Sequence, residues 1–120
     1  MIRELKILIC DDSLIIRRTL KDMLNEIGCK KIYEAVNGVD AIEKYKEIDP
    51  DLVFMDIIMP EKSGVEALIE IKKYDENANV VVVSSALTQK YVKAAISAGA
   101  SEFIQKPVSS YQVQKIIDRL

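Results

Sequence analysis

The sequence predicts an α/β domain: a parallel β-sheet covered by helices on both faces. Three observations carry this reading. Short apolar runs alternate with helical segments through all 120 residues. The runs are continuously apolar, as strands buried on both sides must be. The helical segments repeat their apolar residues with the period that lays one face on a sheet. With 49% apolar and 30% charged residues, a single domain spanning residues 1–120 is expected. Surface scaling gives a folded area near ~6,500 Å², about a third of the extended chain's, which leaves enough burial for one ordinary core.

In chain order, the strand candidates are Leu5 to Cys10, Ile32 to Val36, Leu52 to Met55, Val80 to Val83 and the shorter Phe103-Ile104. The first helix places Ile16, Leu20, Met23, Leu24 and Ile27 on one stripe and stops at Gly28. A second runs from about Val39 to Ile48, before Asp49-Pro50. The third follows Ser63-Gly64, with Val65, Leu68 and Ile69 read as its inner face. A fourth spans roughly Gln89 to Ala98 and ends at Gly99. The last opens near Ser109-Ser110 and presents Val113, Ile116, Ile117 and Leu120. Right-handed crossovers leave few topologies, and five strands favour the flavodoxin type of doubly wound sheet over the Rossmann type.

Composition removes several function classes. The chain has no histidine, which excludes Ser-His and Cys-His catalysis, imidazole metal ligands and a phosphohistidine-carrier role. Cys10 and Cys29 are too few for a disulfide scaffold or a structural zinc site, and fit reduced intracellular thiols. With 17 basic against 19 acidic residues, nothing supplies the basic face that nucleic acid needs, so direct DNA binding is not expected. Met1 to Lys6 is too short for a signal peptide, and no apolar run approaches the ~18 residues of a membrane span. A cytoplasmic protein without membrane insertion is expected.

In sheets of this kind ligands bind beyond the carboxyl ends of the strands. There the sequence places Asp11-Asp12-Ser13, Asp56, Ser84-Ser85-Ala86 and Lys106-Pro107. Each has an ordinary explanation. Asp12 or Ser13 would serve as an N-cap, Ser84 and Ser85 as turn hydroxyls, and Lys106 as an exposed loop lysine. Asp56 resists such a reading, because Val53-Phe54-Met55 deliver it from a buried strand, where an unpaired carboxylate is costly. Three carboxylates offset only by Lys106 call for a divalent cation, and oxygen-only ligands suit Mg²⁺ or Mn²⁺ rather than Zn²⁺. A dinucleotide or flavin phosphate would be repelled by Asp11-Asp12, and the four scattered glycines form neither G-x-G-x-x-G nor a P-loop.

Asp11-Asp12, Asp56 with Met59-Pro60 and Gly64, Ser85-Ala86, Gly99-Ala100 and Lys106-Pro107 stand in one order at these strand ends. On these motifs the whole chain resembles the receiver domain of two-component response regulators, most closely the stand-alone CheY-like type. The resemblance implies the strand order 2-1-3-4-5. It implies that Asp56 accepts a phosphoryl group from a sensor histidine kinase, with Asp11, Asp12, Asp56 and the backbone carbonyl of Ile58 holding Mg²⁺. Lys106 would pair with a phosphoryl oxygen, and Ser85, where the family more often has threonine, would donate its hydroxyl to it. Phe103, where many relatives have tyrosine, stands at the coupled aromatic position. The output face for a downstream protein target would be the fourth helix, fifth strand and fifth helix, with Tyr91 and Tyr111 as contacts. Ile58 and Leu87 occupy the positions that flank the attacking water in relatives, and neither side chain hydrogen-bonds water. Slow self-dephosphorylation and reliance on a phosphatase are therefore expected.

Three other readings remain open on the sequence: a receiver cut from a longer regulator with transcriptional or other output, an unphosphorylated pseudo-receiver, and a small aspartyl phosphatase. Retention of both acidic residues, the acceptor and the lysine speaks against the second. Such phosphatases normally place the nucleophile after the first strand and carry a cap domain, for which this chain has no room. The expected role is a phosphoacceptor that promotes its own phosphorylation, not a turnover enzyme.

Overall fold

The computed structural model describes residues 4–59, 61–85 and 89–120, of which residues 89 and 90 are described by backbone only. Five strands, β1 (Lys6–Cys10), β2 (Lys31–Ala35), β3 (Leu52–Asp56), β4 (Val80–Ser84) and β5 (Glu102–Gln105), alternate with five helices. The helices are α1 (Leu14–Ile27), α2 (Gly38–Ile48), α3 (Gly64–Tyr74), α4 (Gln89–Ser97) and α5 (Ser110–Asp118). The strands form one parallel sheet in the order β2-β1-β3-β4-β5. The accessible surface of the chain is 6709 Å², close to the ~6,500 Å² that chain length predicts.

Both faces of the sheet are covered, and alternation along the strands decides which residue goes where. Leu8, Cys10, Val53, Met55, Val80 and Val82 pack with Ala41 and Tyr45 of α2, Ala67, Leu68 and Ile71 of α3, and Ala95 of α4. Ile7, Ile9, Leu52, Phe54, Val81, Val83 and Ile104 pack on the other side with Leu20 and Leu24 of α1 and Val113 and Ile116 of α5. The central strands β1, β3 and β4 are therefore apolar at nearly every position, as parallel strands covered twice require. The edge strand β2 departs from that reading. Lys31 and Tyr33 are exposed along it, and Val36, expected to end the strand, lies beyond it and is exposed. An edge strand is shielded on fewer sides, and its charges also protect it from pairing with other chains.

Side-chain caps set the helix starts. Ser13, Asn37, Ser63 and Ser109 each accept a backbone N–H from the first turn of the helix that follows. Ser63 with Glu66, and Ser109 with Gln112, complete reciprocal capping boxes. Gly28, at φ 110°, closes α1 in the left-handed conformation. One expectation is corrected in α3. Ile69 is 40% exposed, and the buried stripe is Gly64, Ala67, Leu68 and Ile71. The cap at Ser63 fixes the helix phase, and a stripe that begins with glycine and alanine hides from a reading that looks for large apolar residues.

Candidate functional site

The switch in strand order sets β1 beside β3, in a register that pairs Cys10 with Met55. The residues that follow, Asp11 and Asp56, are thereby brought side by side at the carboxyl edge. Asp56 is itself the last residue of β3, and β4 runs alongside it with Val83 as its partner. One carboxylate oxygen from each of Asp11, Asp12 and Asp56 lies within 4.8 Å of the others. Asp11 and Asp56 are buried, and Asp12 is exposed at the rim.

Asp11 is held at every polar atom. Its N–H donates to the Ala35 carbonyl (3.1 Å). Its Oδ1 accepts from the Ser13 N–H (2.9 Å) and its Oδ2 from Lys106 Nζ (2.8 Å). Its carbonyl accepts from Arg17 Nη1 (2.8 Å). Ser13 thus takes the capping role that could have fallen to Asp12, and the Asp12 carboxylate faces the cluster instead. Lys106 follows β5, at a cis peptide bond to Pro107, and also approaches Asp56 Oδ2 at 3.6 Å. Its side chain is 16% exposed. One ammonium therefore faces three carboxylates.

The Asp56 carboxyl registers that imbalance. Burial, then the charge of Asp11, raise its pKa from the ordinary 3.8 to about 6. Lys106 and a hydrogen bond from the Ile58 backbone N–H offset part of the rise, and Asp12 adds a smaller increment. Oxygen donors clustered this closely, with net negative charge and one side open to solvent, fit a hard divalent cation such as Mg²⁺.

Gly64 fixes the loop beneath Asp56. A Cβ there would lie 1.9 Å from the Asp56 carbonyl oxygen, and the Gly64 N–H donates to the Ile57 carbonyl at 2.7 Å. Gly38 at the start of α2 does the same for the far end of the loop, where a Cβ would meet the Lys62 carbonyl oxygen at 2.1 Å. Two helix N-termini thus close onto the β3–α3 connection because their first residues carry no side chain.

The remaining expected residues are placed as follows. Ser85 is the first residue after β4 and is exposed. Ile58 is 54% exposed beside the cluster. Phe103 and Tyr91 are half-buried against the core on the α2, α3 and α4 side. Tyr91 also lines a groove of about 310 Å³ with Ile57, Ile58, Met59, Ser63, Val65 and Ala94. Tyr111 is 68% exposed, with Lys115 Nζ 5.0 Å from its ring centroid. Pro60, Ala86 and Leu87 lie outside the described residues. Cys10 and Cys29 are free and buried, and burial raises both thiol pKa values.

The response regulator receiver domain, as a family, matches residues 7–118. The chain belongs to that family. Among curated receiver proteins it is 44% identical over 115 residues to the chemotaxis protein CheY of Thermotoga maritima, covering 96% of this chain and 93% of that one. It is 46% identical over 114 residues to CheY of Bacillus subtilis, covering 95% of each. Among solved structures, a chain of the CheX–CheY–BeF3–Mg²⁺ complex of Borrelia burgdorferi superposes with a TM-score of 0.90 at 32% identity, covering 96% of this chain and 87% of that one. This receiver domain has the flavodoxin-like strand order expected of its family. Sequence reasoning did not single out Arg17 or Glu34, whose contact behind Asp11 joins two elements. The only signal was an arginine one turn inside the helix that follows the acidic pair.

Proposed function

We propose that this receiver is a phosphorylation-activated switch of chemotaxis type, in which Asp56 is the phosphoacceptor. The observation that carries the reading is the Asp11, Asp12 and Asp56 cluster within 4.8 Å, with Lys106 Nζ 2.8 Å from Asp11. An Asp56 carboxylate oxygen attacks the phosphorus of a phosphohistidine on a sensor histidine kinase. The P–N bond breaks, and the imidazole nitrogen takes up a proton. Such a transfer needs positioning and charge neutralisation more than covalent machinery. Asp11, Asp12, Asp56 and the Ile58 carbonyl would hold Mg²⁺, which supplies charge neutralisation at the transferred group. Lys106 exchanges part of its contact with Asp11 for a phosphoryl oxygen, and the Ser85 hydroxyl donates to another.

The added charge draws the Ser85 loop inward, and Phe103 relays that movement to the face built from α4, β5 and α5, where Tyr91 and Tyr111 meet a protein target. Ile58 and Leu87 offer no hydrogen bond to an attacking water, so the phosphorylated form is long-lived and a separate phosphatase resets it. The domain promotes its own modification without turnover, acts in the cytoplasm, and binds neither nucleic acid nor membrane. The relatives that bear the name CheY favour a chemotaxis-type output over a transcriptional one.

The test is incubation with Mg²⁺ and a small phosphodonor, read by intact mass. A single phosphoryl adduct that disappears in Asp56→Asn is expected. No adduct points instead to a pseudo-receiver, and sustained multiple turnover to a phosphatase.

A further inference from the structure

Behind the acidic cluster lies a second set of charges that touches none of the reacting groups. Arg17 sits one turn into α1, where its backbone N–H donates to the Ser13 carbonyl (3.1 Å). Its side chain turns back toward the helix start, and Nη1 donates to the Asp11 carbonyl at 2.8 Å. On its other edge, Nε pairs with Glu34 Oε1 of β2 at 2.9 Å. The Arg17 side chain is only 11% exposed. Glu34 is held in turn, by Lys21 at 3.9 Å from Oε2 and by Lys44 Nζ donating to its carbonyl at 2.8 Å. The planar fork of a guanidinium is suited to bridging two fixed acceptors, which a lysine cannot do with the same geometry.

We infer that Arg17, braced by Glu34, is a positioning residue that fixes the Asp11 backbone, and through it the Asp11 carboxylate, in the orientation needed to receive a divalent cation. This deepens the proposed function and rests on its metal-site reading. Asp11 is the first residue past β1, where the ladder to β2 ends with its own N–H on Ala35. Beyond that point Arg17 is what holds its carbonyl. Partners of this kind behind metal ligands typically govern about 10- to 100-fold in metal affinity.

The sign of the effect separates positioning from simple charge. Removing a cation near an acidic site should, through space alone, strengthen cation binding. Loss of positioning weakens it. A merely structural role would lower the melting temperature and leave affinity unchanged.

The experiment is Mg²⁺ titration of the unphosphorylated protein by calorimetry, with Mn²⁺ binding by electron paramagnetic resonance as a second readout and thermal melts alongside. Wild type is expected to bind Mg²⁺, Arg17→Met about 10-fold more weakly, and Arg17→Lys, which keeps the charge, less so but in the same direction. Arg18→Met, an exposed neighbour on the same helix, should leave affinity unchanged. Wild type that binds no Mg²⁺ or Mn²⁺ overturns the metal-site reading itself. Wild type that binds, with Arg17→Met equal or tighter, overturns the positioning role alone. Should Arg17→Met fail to fold, unchanged affinity in Arg17→Lys overturns it equally.

Discussion

Burial and the neighbouring Asp11 charge set the Asp56 pKa at about 6, above its ordinary 3.8. The folded protein therefore binds the Asp56 proton more tightly than the unfolded chain does. Any stability from that proton is fully present below about pH 4 and is lost as pH rises through 6. In metal-free buffer Asp56→Asn should match wild type below pH 4 and exceed it above pH 7, by about 1–2 kcal/mol with water screening at the pocket mouth counted. Denaturant melts across pH check this, and a pH-independent difference would contradict the electrostatic account. Ile58 carries a second prediction at this scale. Its 54% exposed apolar side chain stands beside Asp56. An Ile58→Asn, Leu87→Glu double variant that can hold the attacking water should lose its phosphoryl group roughly tenfold faster or more. Equal dephosphorylation rates would sink that proposal.

Among the elements, β3 and the start of α3 are held by a close backbone approach at Gly64. Gly64→Ala would drive a methyl to 1.9 Å from the Asp56 carbonyl oxygen, so either α3 or the end of β3 must move. A backbone clash of this kind is expected to cost about 2 kcal/mol or more and to slow phosphorylation of Asp56 along with it. Melts and the intact-mass assay test the two together, and full activity with undiminished stability would show that the loop is not clamped. This element also marks how far the sequence could be read. The continuous apolar runs of β1, β3 and β4 and the placement of Asp11, Asp56 and Lys106 at strand ends were legible, because they follow from local pattern and a topological rule. The α3 face was misread at Ile69, because the cap and a glycine contact set its phase. The ends of β2 were misplaced, because an edge strand carries a weaker pattern. The Arg17 to Glu34 contact was hidden because it joins two elements whose separation in sequence says nothing about their meeting.

For the whole molecule, the charge of −2 matters through its distribution. Three carboxylates and one ammonium meet at a single edge of a sheet whose two faces are otherwise apolar. Folding brings these like charges together, and a divalent cation held there would relieve the repulsion, so that binding and stability would be linked. Mg²⁺ at about 100 times its dissociation constant should stabilise the protein by about 3 kcal/mol, and Asp11→Asn should abolish most of that gain. Melts over a Mg²⁺ series that show no shift in wild type would contradict the linkage. On the proposed function, Asp56 itself carries the phosphoryl group. This is tested most directly by phosphorylating the protein in Mg²⁺, reducing the acyl phosphate with borohydride and sequencing the peptides by tandem mass spectrometry. Conversion to homoserine is expected at position 56 alone. Conversion at Asp11 or Asp12, or a phosphoryl adduct that borohydride leaves intact, would contradict it.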